Sequence, residues 1–403
     1  MKIKILYIGL SIFLLSWIIP SLVQLTTDSS VRYPFTYYSS VINQFCYIDP
    51  ADERLMGKDL DGNSYTDAEF NRVLPMFYYR QLAMENALPD SIQGVPVDLQ
   101  AIARNNFFFW YKPKDKNTPV IELYPMFESC SGKVDLENPD DMFRLKERIE
   151  FIDMETNRVN EEKSARFQQA LDAAGFSAPA QWVAGIPSSM KSYDEGYFVL
   201  DNRNNLFHVK MTNGKPFVKD TKVGTSIKTL AMFPKEMENR SLYGFLYDTD
   251  GTLYYLSTDG YRLVKVLEGI NPDIDRISVM ANMFYWTVVK ESPSGEYTYA
   301  LENGTMKQVA DLYRPATPST WDKVSPYLFP FTVGFGDSSN SYIYPRVSAY
   351  HFTALGLGAL LAIITLALYR RQKPYAKYTA AVISLFTGVA GFITVCLIAR
   401  IKN

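Results

Sequence analysis

The 403-residue sequence is poor in the residues that carry most enzyme chemistry. It has two histidines, His208 and His351, and three cysteines, Cys46, Cys130 and Cys396. No HExxH helix and no three-histidine set is present to hold zinc. No G-x-S-x-G elbow accompanies the histidines, and no G-x-x-x-x-G-K loop is present to cradle phosphates. His208 falls within a strand-like segment and reads as an ordinary strand residue. Charge of one sign is lacking too. Lysine and arginine number 41 against 43 acids, a net charge of -2, so there is no basic coat for nucleic acid. No nucleic-acid partner is expected.

Three stretches lack charge almost entirely. They are residues 3–25, whose only charge is Lys4 near its start, residues 349–369 and residues 378–399. Each is about 20 residues long, enough to cross a hydrocarbon core of roughly 30 Å. The first is expected to be retained as an anchor, because it carries Trp17 and Pro20 and no clear small-x-small cleavage site precedes Asp28. Lys2 and Lys4 precede it, and Arg370, Arg371, Lys373 and Lys377 fill the short connection between the last two runs. By the positive-inside rule both belong on the cytoplasmic face, with Arg400 and Lys402 pulling weakly the other way. Residues 28–347 are therefore expected outside the cytoplasm, periplasmic if the membrane is a cell inner membrane.

Small residues recur at i, i+4 spacing in the last two runs. Ala354, Gly358 and Ala362 form one ridge, and Ala380, Ser384 and Gly388 another. Such ridges let helix backbones approach closely in lipid. An antiparallel helical hairpin is expected, in contact with lipid and able to receive a membrane-protein partner. Cys396 reads as an apolar filler in the third run, while pairing between Cys46 and Cys130 stays open.

Residues 28–347 read mostly as strands and turns. Segments starting at Gly196, Tyr243 and Met283 share an aromatic strand, a turn rich in Asp, Asn or Gly, an alternating strand and a third strand. Their starts lie about 40 to 50 residues apart, the period of propeller blades. Weaker copies begin at Val41, Asn105 and Phe143, the one at Asn105 as two strands around a polar turn. The expectation is a membrane-anchored, mainly-β protein: a propeller-like or multi-hairpin extracytoplasmic domain with a few helices, plus three transmembrane helices. One predicted helix starts after Asn160 and ends at Gly175; another runs from Thr66 and is broken at Pro75.

Acidic residues are the remaining chemical candidates. Asp140 with Asp141, Asp194 with Glu195, and Asp273 with Asp275 are adjacent carboxylates of the kind a glycan hydrolase would need facing one bond. All lie in turn-like segments, where Asp caps backbone amides. Asp59, Asp61 and Asn63 in KDLDGNSYTDAEF have the opening spacing of a calcium loop. The sixth and twelfth positions hold Ser64 and Phe70 rather than Gly and Glu. A hairpin turn at Asp61-Gly62, followed by a Thr66/Glu69 capping box, fits every residue, so no metal is assigned here. No catalytic residue and no cofactor is expected.

FTYYSSV at Phe35, LPMFYYRQL at Leu74, LPDSIQGV at Leu88, IEFIDMETNRVNEEKS at Ile149 and PAQWVAGIP at Pro179 together resemble a family of Bacteroidetes membrane proteins, domain of unknown function 4857. The resemblance carries over no catalytic or ligand residue. It implies partnership rather than activity, in company with ABC-type transport components. The three uncharged runs, the scarcity of catalytic residues and the repeat-built domain point to a non-enzymatic binding, sensing or accessory protein, with an extracytoplasmic glycan hydrolase or a stand-alone ligand receptor as the alternatives.

Overall fold

The computed structural model describes residues 2–27, 33–50, 56–130, 136–191, 193–336 and 339–401. The chain forms two compact units. One is Pro34–Arg314; the other joins Met1–Tyr33 to Pro315–Asn403.

The Pro34–Arg314 unit is mainly β, built of antiparallel meanders that follow one another in sequence. Sheet I holds Phe35–Tyr38, Phe45–Ile48, Gly57–Asp59 and Ser64–Tyr65. Sheet II holds Tyr124–Pro125, Asp141–Leu145 and Ile149–Asp153. Sheet III holds Trp182–Gly185, Tyr197–Leu200, Leu206–Thr212 and Lys215–Asp220. Sheet IV holds Thr229–Pro234, Leu242–Asp248, Leu253–Ser257 and Leu263–Leu267. Sheet V runs from Arg276–Ala281 through Tyr285–Ser292 and Gly295–Glu302 to Gln308–Pro315. The three expected repeats are the last three strands of sheets III, IV and V.

Apolar side chains on both faces of these strands stack the sheets. Phe151 and Phe167, from sheet II and the helix Glu161–Ala174, pack with Val199 and Phe207 of sheet III. Phe198 and Leu200 on the other face of sheet III meet Leu246 and Leu256 of sheet IV. Phe245 and Tyr247 then meet Val279 and Val288 of sheet V. Tyr38 and Phe45 of sheet I pack against Ala300 of sheet V. The spatial order is thus II, III, IV, V, I.

The segment at Asn105 does not form the expected hairpin. Phe107–Tyr111 pairs antiparallel with Arg276–Ala281, Tyr111 opposite Ile277, and becomes the outermost strand of sheet V. Tyr124–Pro125 pairs with sheet II instead. A helical turn, Pro113–Asn117, separates the two. Phe107–Tyr111 thereby finds a six-residue partner where its neighbour offers two residues.

One turn construction recurs. At Asp59, Asp201 and Asp248, the backbone N–H donates to the carbonyl four residues on, in Asn63, Asn205 and Thr252. The same later residue donates its own N–H back to the aspartate Oδ1, at 2.9, 2.8 and 2.8 Å. Asp201 and Asp248 also accept from the N–H two residues on. Burial works to raise the Asp59 carboxyl, but hydrogen bonds from Asn63, Tyr65 and the backbone outweigh it and hold the pKa below the usual range. The spacing that suggested a calcium loop belongs to this turn device. Thr66 and Glu69 form the capping box, and Phe70 is buried. Asp248→Ala strands two amides that depend on its carboxylate, and should cost about 1–3 kcal/mol. Chemical denaturation of the detergent-solubilised chain checks this; a change within a few tenths of a kcal/mol would contradict it.

The second unit holds the apolar helices. Lys4–Thr27 and Pro374–Leu397, each 24 residues with mean hydropathy 2.1 and 2.2, are long and apolar enough to cross a membrane. The run expected as a span over 349–369 differs. It is a single 3-10 turn, Phe352–Ala354, leading into the 14-residue helix Leu355–Leu368. Residues before Phe352 are held out of the helix: His351 N–H donates to the Pro330 carbonyl, and the Tyr350 hydroxyl to the Phe386 carbonyl at 3.0 Å.

This shorter helix packs along Pro374–Ile401. Ala354, Gly358, Ala380 and Ser384 are buried and Ala362 is half-buried. A Cβ on Gly358 would fall 2.3 Å from the Leu385 carbonyl oxygen, so only glycine allows this approach. Ser384 and Thr365 hydroxyls meet at 2.9 Å in the buried seam. Gly388 does not sit on the ridge expected of it. It breaks the helix with φ 58° and ψ −136°, and a Cβ there would meet Pro330 at 2.8 Å.

Candidate functional site

The strand Phe107–Tyr111 consists entirely of aromatics, and its alternation decides where each goes. Phe107, Phe109 and Tyr111 are buried between sheets IV and V. Phe108 and Trp110 point outward, 44% and 66% exposed. Their rings stack with centroids 5.9 Å apart and planes 22° from parallel. No other strand pairs with the far edge of this strand among the described residues.

A recess of about 720 Å³ lies along that edge, with residues 233–238 as its opposite wall. Two of its lining side chains carry a buried oxygen with no hydrogen-bond partner among the described residues: Asn106 Oδ1 and Glu236 Oε2. Arg104, Asp115 and Glu238 line it with charges of both signs. Lys235, also lining it, has its pKa lowered by burial. A second recess of about 410 Å³ shares Asn106, Phe108 and Glu238 and adds Tyr37, Tyr79 and Arg80.

Glu236 links the recess to a buried ionic knot. Its Oε1 accepts from Lys191 Nζ at 2.9 Å and from the Glu195 N–H at 2.8 Å. Lys191 also donates to Asp194 at 2.5 Å. The side chains of Lys191, Asp194 and Glu236 are only 10%, 1% and 9% exposed. Burial raises the pKa of both Asp194 and Glu236, and the Lys191 charge opposes that rise. Beside the knot, the Tyr193 hydroxyl donates to the Met237 carbonyl at 2.5 Å, and the Arg240 guanidinium lies 4.1 Å over the Tyr193 ring.

The adjacent carboxylates of the sequence part company here. Asp194 joins Glu236 through Lys191, while Glu195 pairs with Lys210 at 2.8 Å. Asp141 pairs with Lys163 at 2.8 Å, while Asp140 is exposed. Asp273 pairs with Lys116 at 2.6 Å, and Asp275 accepts the Asn271 N–H at 2.8 Å. None of the three couples turns two free carboxyls toward one bond. His208 is fully buried, stacked 4.5 Å from Phe198, with Nδ1 2.8 Å from the Tyr261 hydroxyl. Burial pulls its pKa down to about 3. Cys46 is buried and Cys130 exposed, and both thiols are free. Burial, with the nearby Asp59 charge, pushes the Cys46 thiol up to about 12. Tyr342, Tyr344 and Phe352 near the apolar helices are exposed.

Lys191 and Glu236 carry no sequence signal, since neither sits in a motif and 45 residues separate them. The exposed rings did carry one: five consecutive aromatics on a strand cannot all face one core.

The family model described as domain of unknown function (DUF4857) matches residues 35–301. No curated protein sequence matches the chain. Among solved structures, the Dos1 propeller is similar at 10% identity and TM-score 0.25, covering 46% of each chain. PorZ, described as an essential bacterial surface component of the type-IX secretion system of Porphyromonas gingivalis, is similar at 8% identity and TM-score 0.22. That match covers 72% of this chain and 33% of PorZ. The Cps50 (Swd1) β-propeller domain of Myceliophteria thermophila follows at 11% identity and TM-score 0.19, with 50% and 90% covered. The chain spans less than half the length of the first two. Likenesses at these values carry no argument about function.

Proposed function

The chain belongs to the DUF4857 family, and we propose that it is a membrane-anchored, non-enzymatic binding or accessory protein whose β unit works outside the cytoplasm. The observation that carries this reading is topological. The β unit Pro34–Arg314 is joined at both its ends to the unit that holds both long apolar helices. In this reading Lys4–Thr27 crosses the inner membrane, Phe352–Leu368 makes a shorter crossing, and Pro374–Leu397, broken at Gly388, enters the membrane again. Lys2, Lys4 and the basic residues 370–377 then lie in the cytoplasm, and the β unit in the periplasm. Exposed Tyr342, Tyr344 and Phe352 suit the headgroup region. The members of each carboxylate couple go to different partners or to solvent, which supports binding over hydrolysis.

Cys130 supplies the test, because it is exposed while Cys46 is buried. In intact spheroplasts a membrane-impermeant maleimide should label the Cys396→Ser chain, and adding Cys130→Ser should abolish the labelling. Labelling that requires permeabilised cells would overturn the topology. The family resemblance adds an ABC-type transport complex as the partner, reached through the C-terminal helices. Purification in mild detergent should then recover an ATPase and a permease with the chain; recovery of the chain alone counts against the complex.

A further inference from the structure

We propose that the last apolar helix reverses at Gly388, so that residues 400–402 return to the side of the basic connection 370–377, and that the two together form a cationic face for the anionic phospholipid headgroups of the cytoplasmic leaflet. The orientation rests on the topology above; the reversal stands without it.

A straight helix and a reversed one put Arg400 on opposite sides. Lys377 and Arg400 bound the uncharged residues 378–399. In an unbroken helix they would lie about 35 Å apart, a full hydrocarbon core of roughly 30 Å. Composition alone therefore reads as a crossing, and the backbone excludes it. The Tyr369 hydroxyl donates to the Val395 carbonyl at 2.6 Å. Tyr369 lies just before the short connection that ends at Pro374, and an unbroken helix would carry Val395 about 32 Å beyond Pro374. A Cβ on Gly391 would fall 2.9 Å from the Ile383 carbonyl oxygen; a straight helix would set the two residues about 12 Å apart along its axis. Both contacts require residues 389–401 to run antiparallel to residues 374–387.

The tip of this reversal is built to lie at membrane depth, where irregular backbone must be covered by protein. Gly388 is buried and supplies the positive φ. Pro330, which has no N–H to satisfy, packs against it. The Phe386 carbonyl, whose helical donor would lie past the break, accepts the Tyr350 hydroxyl.

The reversal also removes a conflict in the charge pattern. A crossing would leave Arg400 and Lys402 outside the cytoplasm, against the positive-inside rule. Returned, they join Arg370, Arg371, Lys373 and Lys377, and residues 338–403 contain no Asp or Glu to neutralise them. Clusters of this size at the cytoplasmic end of membrane helices attract anionic headgroups. Exposed Leu368, Tyr375 and Tyr378 flank the connection. Acyl chains cover such an apolar rim, and a soluble polyanion leaves it bare.

Both parts are tested on the full chain carrying Cys130→Ser and Cys396→Ser. With Gln372→Cys or Asn403→Cys added, a membrane-impermeant maleimide should label neither in intact spheroplasts and both after permeabilisation. Outside labelling of Asn403→Cys with Gln372→Cys protected would overturn the reversal. Outside labelling of both would overturn the orientation proposed above, and the cytoplasmic face with it, while upholding the reversal. For the lipid, the detergent-solubilised chain is titrated with dioctanoyl phosphatidylglycerol and followed by native mass spectrometry. Binding should saturate, and Arg371→Gln and Lys373→Gln should each weaken it about fivefold. Lys215→Gln, on an exposed strand end of the β unit, should leave it unchanged. Equal binding of dioctanoyl phosphatidylcholine, or indifference to both connection substitutions, overturns the lipid face. So does displacement of the lipid by polyglutamate, which would make the face a site for soluble polyanions.

Discussion

Lys191→Met should destabilise the chain by about 3–5 kcal/mol, the cost of leaving buried charge without its partner. Among the described residues Lys191 is the one cation bonded to both Asp194 and Glu236, and all three side chains are nine-tenths buried or nearly so. Methionine keeps much of the volume and removes the ammonium. Two carboxyls then remain in a site whose burial already raises their pKa values. The pH dependence has a definite sign. A carboxyl raised above its unfolded value favours folding in its protonated form, so its contribution is present at low pH and is lost as pH rises through the folded pKa. Without Lys191 that rise grows. The deficit of the variant should therefore be larger at about pH 8 than at about pH 5. Denaturation midpoints of the detergent-solubilised chain at the two values measure it. Adding Asp194→Asn and Glu236→Gln should recover most of the loss, since no buried charge is then left. A deficit equal at both pH values would refute the electrostatic account.

Phe245→Ala should cost a similar amount, about 3–5 kcal/mol, through cavity formation and lost burial. Phe245 is fully buried and stacks on Phe109 at 4.0 Å with planes 17° apart. Phe107 and Trp286, themselves 5.1 Å apart edge to face, each stand 6.1 Å away. With Phe233 and Tyr247, which contact Tyr111, the ring is one of those by which sheet IV holds the edge strand of sheet V. Loss should thus be local as well as global: amides of 107–111 should exchange with solvent faster than those of Tyr285–Ser292. Phe245→Leu, which fills part of the space, should cost less than half as much. Uniform acceleration across sheet V would show that Phe245 is not a specific tie.

Much of this architecture is legible in the residues because the signals are local. The three repeats at Gly196, Tyr243 and Met283 are true strand triplets, marked by turns and alternation. Their first strands went unread: Thr229–Pro234 and Trp182–Gly185 alternate poorly, although each pairs with the next strand of its own meander. Thr66, Glu69, Asn160 and Gly175 act through neighbours three or four residues away, and each is found in its expected capping role. The long apolar helices follow from composition alone. What lay beyond reach was assembled over distance. Nothing near Tyr111 announces Ile277, and nothing near Lys191 announces Glu236. The shortening of the middle run has another cause: the length of 349–369 suffices, but hydrogen bonds from Tyr350 and His351 divert its first turn. Gly388 likewise met a proline rather than the facing helix.

The edge strand also sets a timetable. Its five aromatics emerge from the ribosome well before the segment that receives them; Tyr111 bonds a carbonyl 161 residues later in the chain. At roughly 5–20 residues per second, that gap lasts on the order of 10–30 s. For that interval a run of Phe, Phe, Phe, Trp and Tyr has no sheet to join, while sheets II, III and IV close around their own local turns. The last meander to be made is the one that supplies its partner strand, so the run waits unpaired until Arg276–Ala281 arrives.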